Sequence, residues 1–273
     1  MNQLQKRDYF YLVSSLPETV LDQSREPFTV SEFVSLLEES LEPQDFAKVR
    51  LLLLPHDNRN LLRLLRQETE NWDKLGQYSE SEMQEQLDAD SGLPDYMHRF
   101  VRAYQNERPI NKDQSWEDQL TALYYDYALQ NTRGFLHDWL LLERNLRNLL
   151  AAWNIREYKI KTEEPFIGKG EIVKTLRASG AHDFGLGNEL PFLDKLMNEL
   201  EQENLLDREK AIDRVQWNYI DDQLTLYYFT IEVVLGYLLQ LRMLNRWLSL
   251  DKQAGQNRVR AFISDMEQKI ELK

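Results

Sequence analysis

Apolar residues recur along most of this chain at helical spacing. The clearest run is Phe135, Trp139, Leu142, Leu146, Leu149 and Trp153, whose alternating steps of four and three put them on one face of a single helix. Leu193, Leu196, Met197 and Leu200 give the same one-sided pattern to a helix over 191–204. Thr29 followed by Glu32 is a capping-box pair that opens a helix at 30–40, and Ser115 with Asp118 caps another that runs through Tyr124, Tyr125 and Tyr127. Pro43 begins a short helix that Pro55 is expected to stop, and a longer helix is predicted from about Asn58 to Leu75, with Gly76 as its C-terminal stop. Residues 77–92 are apolar-poor and read as a solvated helix or exposed connection. Gly170 and Gly180 frame a short helix, the pattern from Leu206 to about Gln253 is nearly all helical, and a last helix is predicted at Asn257–Glu271. Extended character is confined to Tyr9-Phe10-Tyr11-Leu12-Val13 and Tyr158-Lys159-Ile160, neither with a hairpin partner. The fold class is all-α.

A faint internal echo overlies these helices. Arg59-Asn60-Leu61-Leu62-Arg63-Leu64-Leu65 returns as Arg144-Asn145-Leu146-Arg147-Asn148-Leu149-Leu150, and again more loosely as Asn245-Arg246-Trp247-Leu248-Ser249-Leu250. The spacings, roughly 85 and 100 residues, are too long for a solenoid repeat. The echo is either a chance likeness of Leu-rich helices or the mark of three related helical lobes around one axis.

Composition narrows the function. The 273 residues hold 33 Lys+Arg against 46 Asp+Glu, and the net charge of −13 argues against a broad nucleic-acid surface or adsorption to anionic lipid. No cysteine is present, so disulfides, thiol chemistry and cysteine-ligated metals are excluded. The most apolar stretch, Leu224 to Leu239, is interrupted by Glu232 and Gly236 and is shorter than the ~20 apolar residues of a spanning helix. The opening Met1-Asn2-Gln3-Leu4-Gln5-Lys6-Arg7-Asp8 has no apolar run behind its charges and does not read as a secretory signal.

Catalytic signatures are sparse. Gly168-Lys169-Gly170 lacks the spacing and the preceding strand of a phosphate loop, and Asp183-Phe184-Gly185 stands without the other elements of a kinase. Three histidines precede aspartate: His56-Asp57, His137-Asp138 and His182-Asp183. In one class of helical phosphohydrolase, such pairs hold a metal that activates water. Here His137 opens an apolar helix, and the other pairs are expected in loops beside proline or glycine, where aspartate caps a helix. Acidic runs such as Glu199-Leu200-Glu201-Gln202-Glu203 read as solvated faces. No residue is assigned a catalytic, cofactor-binding or metal-binding role. The paired tyrosines, Tyr124-Tyr125 and Tyr227-Tyr228, and the 6 tryptophans suit a core or a protein interface.

The last third carries a family likeness. Tyr228-Phe229-Thr230-Ile231-Glu232-Val233-Val234-Leu235-Gly236-Tyr237-Leu238-Leu239, followed by Asn245-Arg246-Trp247 and Lys252-Gln253-Ala254-Gly255, resembles the C-terminal helix of the C-type subunit of V-type ATPases (d-type in eukaryotic complexes). Glu143-Arg144-Asn145-Leu146-Arg147-Asn148-Leu149-Leu150 resembles that family's Asn-Leu helix. A bacterial family encoded within V-type ATPase operons is similar over most of the chain, through Tyr9-Phe10-Tyr11-Leu12-Val13-Ser14-Ser15-Leu16-Pro17, Leu93-Pro94-Asp95-Tyr96, Ala181-His182-Asp183-Phe184-Gly185-Leu186 and Arg208-Glu209-Lys210-Ala211-Ile212-Asp213. The chain departs from the C-type pattern at Ser14-Ser15 and at Gln240-Leu241-Arg242. The resemblance implies a funnel of three similar lobes, with approximate limits 1–76, 77–165 and 166–273. It implies a non-catalytic socket, without cofactor, that joins the central stalk to the membrane rotor ring and meets the membrane on its cytoplasmic side only through the complex. Two other readings remain open at this point: a metal-dependent His-Asp phosphohydrolase and a helical adaptor for another partner.

Overall fold

The structure, a computed structural model, describes residues 8–250 apart from residue 203. The described residues form α1 (Phe10–Ser15), α2 (Val30–Ser40), α3 (Pro43–Arg66), a 3-10 turn (Thr69–Asn71), α4 (Glu80–Asp88), α5 (Asp95–Gln105), α6 (Trp116–Gln130), α7 (Phe135–Tyr158), α8 (Glu171–Ala178), α9 (Leu193–Leu200) and α10 (Leu205–Leu224). A further helix, α11, runs over 231–250. No strand occurs among the described residues, so the chain is all-α as its periodicity predicts. Among the same residues no helix is long and apolar enough to cross a membrane. The predicted helix Asn257–Glu271 and the Lys252–Gly255 string lie outside the described residues.

The chain divides into two compact units, one comprising 1–40 and 217–273 and the other 41–216. In the first, Phe33, Leu37, Ile220, Val234, Leu235, Leu238 and Leu244 are buried. Phe33 lies 5.0 Å from the Tyr237 ring, centroid to centroid. Gly236 explains its own place in the apolar stretch: a Cβ there would sit 2.2 Å from Leu224 Cδ1 and 3.0 Å from Ile220 Cγ2, so its absence lets α11 lie close against the last turns of α10. Gln240 bonds Asp221 across the same contact, Nε2 to Oδ1, at 2.7 Å.

In the second unit α6 packs against α3, α5 and α7, and α7 also packs against α8. The six-residue stripe on α7 is wholly buried, as are Leu193, Leu196, Met197 and Leu200 on α9. Expected helix starts hold at atomic detail. Glu32 N–H donates to Thr29 Oγ1 at 3.2 Å and Thr29 N–H to Glu32 Oε2 at 2.9 Å. Ser115 Oγ accepts from Asp118 N–H at 3.1 Å. A second full capping box, Ser79 with Glu82, opens α4 in the apolar-poor stretch.

Three expectations are corrected. Pro55 does not end a helix: α3 continues through it for 24 residues, to Arg66. A proline inside a helix removes one hydrogen bond and costs about 3 kcal/mol. Buried Val49 and Leu51–Leu54 on one side and Leu61 and Leu62 on the other hold both halves in one core, and that packing overrides the local penalty. The helix predicted from Asn58 to Leu75 therefore ends at Arg66, where Gln67 turns left-handed with φ 60°, and Gly76 serves as a packing point rather than a helix stop. Finally, Phe10–Ser15 is helical rather than extended.

Because both capping boxes are exposed, their loss is readable without repacking. Thr29→Ala and Ser79→Ala should each lower the unfolding free energy by about 1 kcal/mol, seen as a lower urea midpoint at unchanged slope.

Candidate functional site

The echoed helices carry the most distinctive polar chemistry in the protein. On α3, Asn60 is fully buried. Its Nδ2 donates to Asp73 O at 2.9 Å and its Oδ1 accepts from Asp73 N–H at 2.8 Å. One side-chain amide thus satisfies both backbone groups of one residue in the strap that follows the helix. On α7, Asn148 is also fully buried and does the same to Ile167: Nδ2 to Ile167 O at 2.8 Å, Ile167 N–H to Oδ1 at 2.8 Å. On α11, half-buried Asn245 donates to Phe28 O at 3.3 Å and accepts from Val30 N–H at 3.1 Å. That last bond satisfies the Val30 N–H at the start of α2, beside the Thr29–Glu32 capping box. Each clamped segment leads into a short helix, α4, α8 or α2 respectively.

The structural register of the echo is therefore Asn60, Asn148 and Asn245. Arg59-Asn60-Leu61-Leu62 matches Arg147-Asn148-Leu149-Leu150 residue for residue, one helical turn beyond the match that begins at Arg144-Asn145. Asn145 has the same side chain but lies one turn before Asn148 and is less buried.

The Asn60 strap is held by further polar groups. Asp73 Oδ2 accepts from Arg59 Nη2 at 2.7 Å and lies 2.9 Å from His56 Nδ1. Burial alone would raise the Asp73 carboxyl, but these bonds outweigh it and the group sits below its ordinary range. Asp57, fully buried one residue after His56, accepts from Gln77 N–H at 2.7 Å and from Gln77 Nε2 at 2.9 Å. Burial pushes its carboxyl from an ordinary 3.8 up to about 6, against the pull of those donors. A Cβ on Gly76 would stand 2.6 Å from Asn60 Nδ2 and 2.9 Å from Asp57 Oδ1, so the strap lies on α3 only with glycine there. The Asn148 strap is steadied by Gln114 Nε2 donating to Phe166 O at 2.8 Å and by the ion pair of Arg177 with Glu164.

The histidine–aspartate pairs have separate surroundings. His56-Asp57 lies inside α3 rather than in the expected loop, and its aspartate holds a strap instead of capping a helix. His137 Nδ1 lies 3.3 Å from Asp138 Oδ1 in the first turn of α7. His182 Nε2 lies 2.8 Å from Glu201 Oε1 on the surface. Asp183 accepts from Gly185 N–H at 2.9 Å within a loop, as expected of Asp183-Phe184-Gly185. Among the described residues no three His, Cys, Asp or Glu side chains gather where they could hold a metal ion. Gly168, at φ 84°, lies against the Arg144 guanidinium and ends the Asn148 strap, while Gly170 is the N-cap of α8.

A family model described as a protein of unknown function (DUF2764) matches residues 6–270, and the chain belongs to that family. Neither the curated proteins nor the solved structures provide a match.

The clamps and the buried carboxylate make separate predictions. Alanine at Asn60 or Asn148 leaves a buried N–H and C=O unpaired and should lower the unfolding free energy by about 2–4 kcal/mol, whereas Asn245→Ala, with longer bonds in a half-buried site, should cost about 1 kcal/mol. Asp57 is raised on folding, so its contribution to stability is complete below pH 3.8 and is lost as pH rises through about 6. Asp57→Asn removes that loss. Urea titrations should show the variant gaining on the wild type by about 2 kcal/mol between pH 4 and pH 7.

Proposed function

We propose that this chain is a non-catalytic component of a V-type rotary ATPase, a three-lobed socket that couples the central stalk to the membrane ring. The observation that carries the reading is the triple asparagine clamp. A chance likeness of Leu-rich helices predicts shared leucines; it does not predict that the echoed asparagine both donates to and accepts from the backbone of a neighbouring strap in each copy, from one residue at Asn60 and Asn148 and from two at Asn245. A lobe is then a long Asn-bearing helix, the strap it clamps and the short helix that follows. The third helix clamps a strap from the start of the chain. The sequence resemblance to the C-type subunit of V-type ATPases rests partly on the same helices.

A torque-bearing socket needs rigidity and shaped surfaces rather than reactive groups. Clamps of this kind tie loops to helices through buried, geometrically strict bonds, so that load on a loop is borne by a helix. The acidic surplus suits basic loops of the stalk or ring, where complementary charge speeds and orients docking. Membrane association would then come through the complex, on its cytoplasmic side.

Rotary ATPase purified from native membranes should contain this chain in fixed proportion to the central-stalk proteins. A deletion strain should retain ATP hydrolysis by the catalytic head but lose its coupling to ion transport. Repeated purification of a complete, coupled ATPase without this chain would contradict the proposal.

A further inference from the structure

Residues of α5, α6, α8 and the strap clamped by Asn148 enclose a cavity of about 880 Å³ within the second unit. Leu123, Phe166 and Val173, all buried, give it an apolar wall. Arg99, Lys169, Lys174 and Arg177 line it, against the carboxylates of Asp126 and Glu164. These charges do not cancel. Arg177 is paired with Glu164, and Lys174 with Glu171. Arg99 and Lys169 take part in no hydrogen bond or ion pair among the described residues. A further cation, Arg144, stands beside Gly168 of the cavity wall: a Cβ on that glycine would lie 3.2 Å from the Arg144 Nη1. Arg144 is half-buried, and its Nε is buried with no partner among the described residues. Burial lowers its pKa, and the charge of Asp126 offsets that only in part. A chain of net charge −13 thus holds three cations without an ion-pair partner at one cavity, and keeps one of them there at a cost in desolvation.

We propose that this cavity binds a small phosphate monoester that carries an apolar group. The phosphate would meet Arg99, Arg144 and Lys169, and the apolar group would cover Leu123, Phe166 and Val173. A phosphate monoester brings close to two negative charges and three acceptor oxygens at neutral pH, and the arginine fork donates to two such oxygens at once. A carboxylate offers one charge and two oxygens, too few for three cations. The volume falls within the roughly 300–1,000 Å³ of small-ligand sites. Lys169 takes part here through its charge, without the backbone loop that Gly168-Lys169-Gly170 lacks. Such a site stands whether or not the chain belongs to a rotary ATPase.

Isothermal titration of the full chain at low salt, with phenyl phosphate, inorganic phosphate and benzoate as probes, tests the site. Phenyl phosphate should bind at least about tenfold more tightly than either of the others, because only it joins a dianion to an apolar group. Arg99→Gln and Lys169→Gln, both at exposed side chains, should each weaken it about tenfold with the melting temperature unchanged. Arg144→Met should weaken it as much while raising the melting temperature of the unliganded chain, because an apolar side chain of similar length replaces an unpaired, half-buried charge. Phenyl phosphate binding no tighter than inorganic phosphate or benzoate, or equal binding by the wild type and all three variants, would overturn the site. A phosphotyrosine peptide that bound more tightly than phenyl phosphate would overturn the assignment to a small molecule. A lower melting temperature with unchanged affinity in Arg144→Met would overturn the part given to that arginine.

Discussion

The primary amide of asparagine presents one donor and one acceptor in nearly the same arrangement as a peptide group. Asn60, Asn148 and Asn245 use that likeness to hold extended backbone against a helix. The rest of the local structure depends on this pairing. Straps that carry no strand partner would otherwise bring unpaired N–H and C=O groups into the interior, at about 1–3 kcal/mol for each group left unsatisfied. With the amide in place, the strap behaves like a strand paired to a helix, and the chain can turn from a long helix into a short one without a sheet.

The second layer of control is steric and electrostatic. Gly76 is the residue without a Cβ at the point where the strap presses on Asn60 and Asp57. Asp57 then receives the Gln77 amide groups at the expense of a carboxylate held in a buried site. A buried acid of this kind adds little stability near neutral pH and is better understood as fixing the path of the strap. Asp73 works in the opposite sense, since Arg59 and His56 favour its charge.

Much of the helix pattern was legible in the sequence because it rests on local rules. The stripe from Phe135 to Trp153, the Thr29–Glu32 capping box and the Ser115 cap depend on residues within one or two turns of each other. The pattern misleads where distant packing decides. Pro55 reads as a stop, yet leucines on both sides of it bury together and α3 runs on. Gly76 reads as a helix end, but its smallness answers a requirement set by Asn60 and Asp57, more than a dozen residues earlier in the chain. The asparagines were visible as an echo, but their register was not, because Asn145 and Asn148 are alike in sequence and only the strap distinguishes them.

The proposed mechanical role rests on loops fastened to helices by three asparagine side chains. The most direct test is residue-resolved amide hydrogen exchange at the clamped positions. Slow exchange is expected at the Asp73 and Ile167 N–H groups and intermediate exchange at Val30. Each should shift to fast exchange when its own asparagine is replaced by alanine, with the other two unchanged. Fast exchange at these amides in the wild-type protein, at the rate of neighbouring exposed loop amides, would contradict the fastening role of the asparagines.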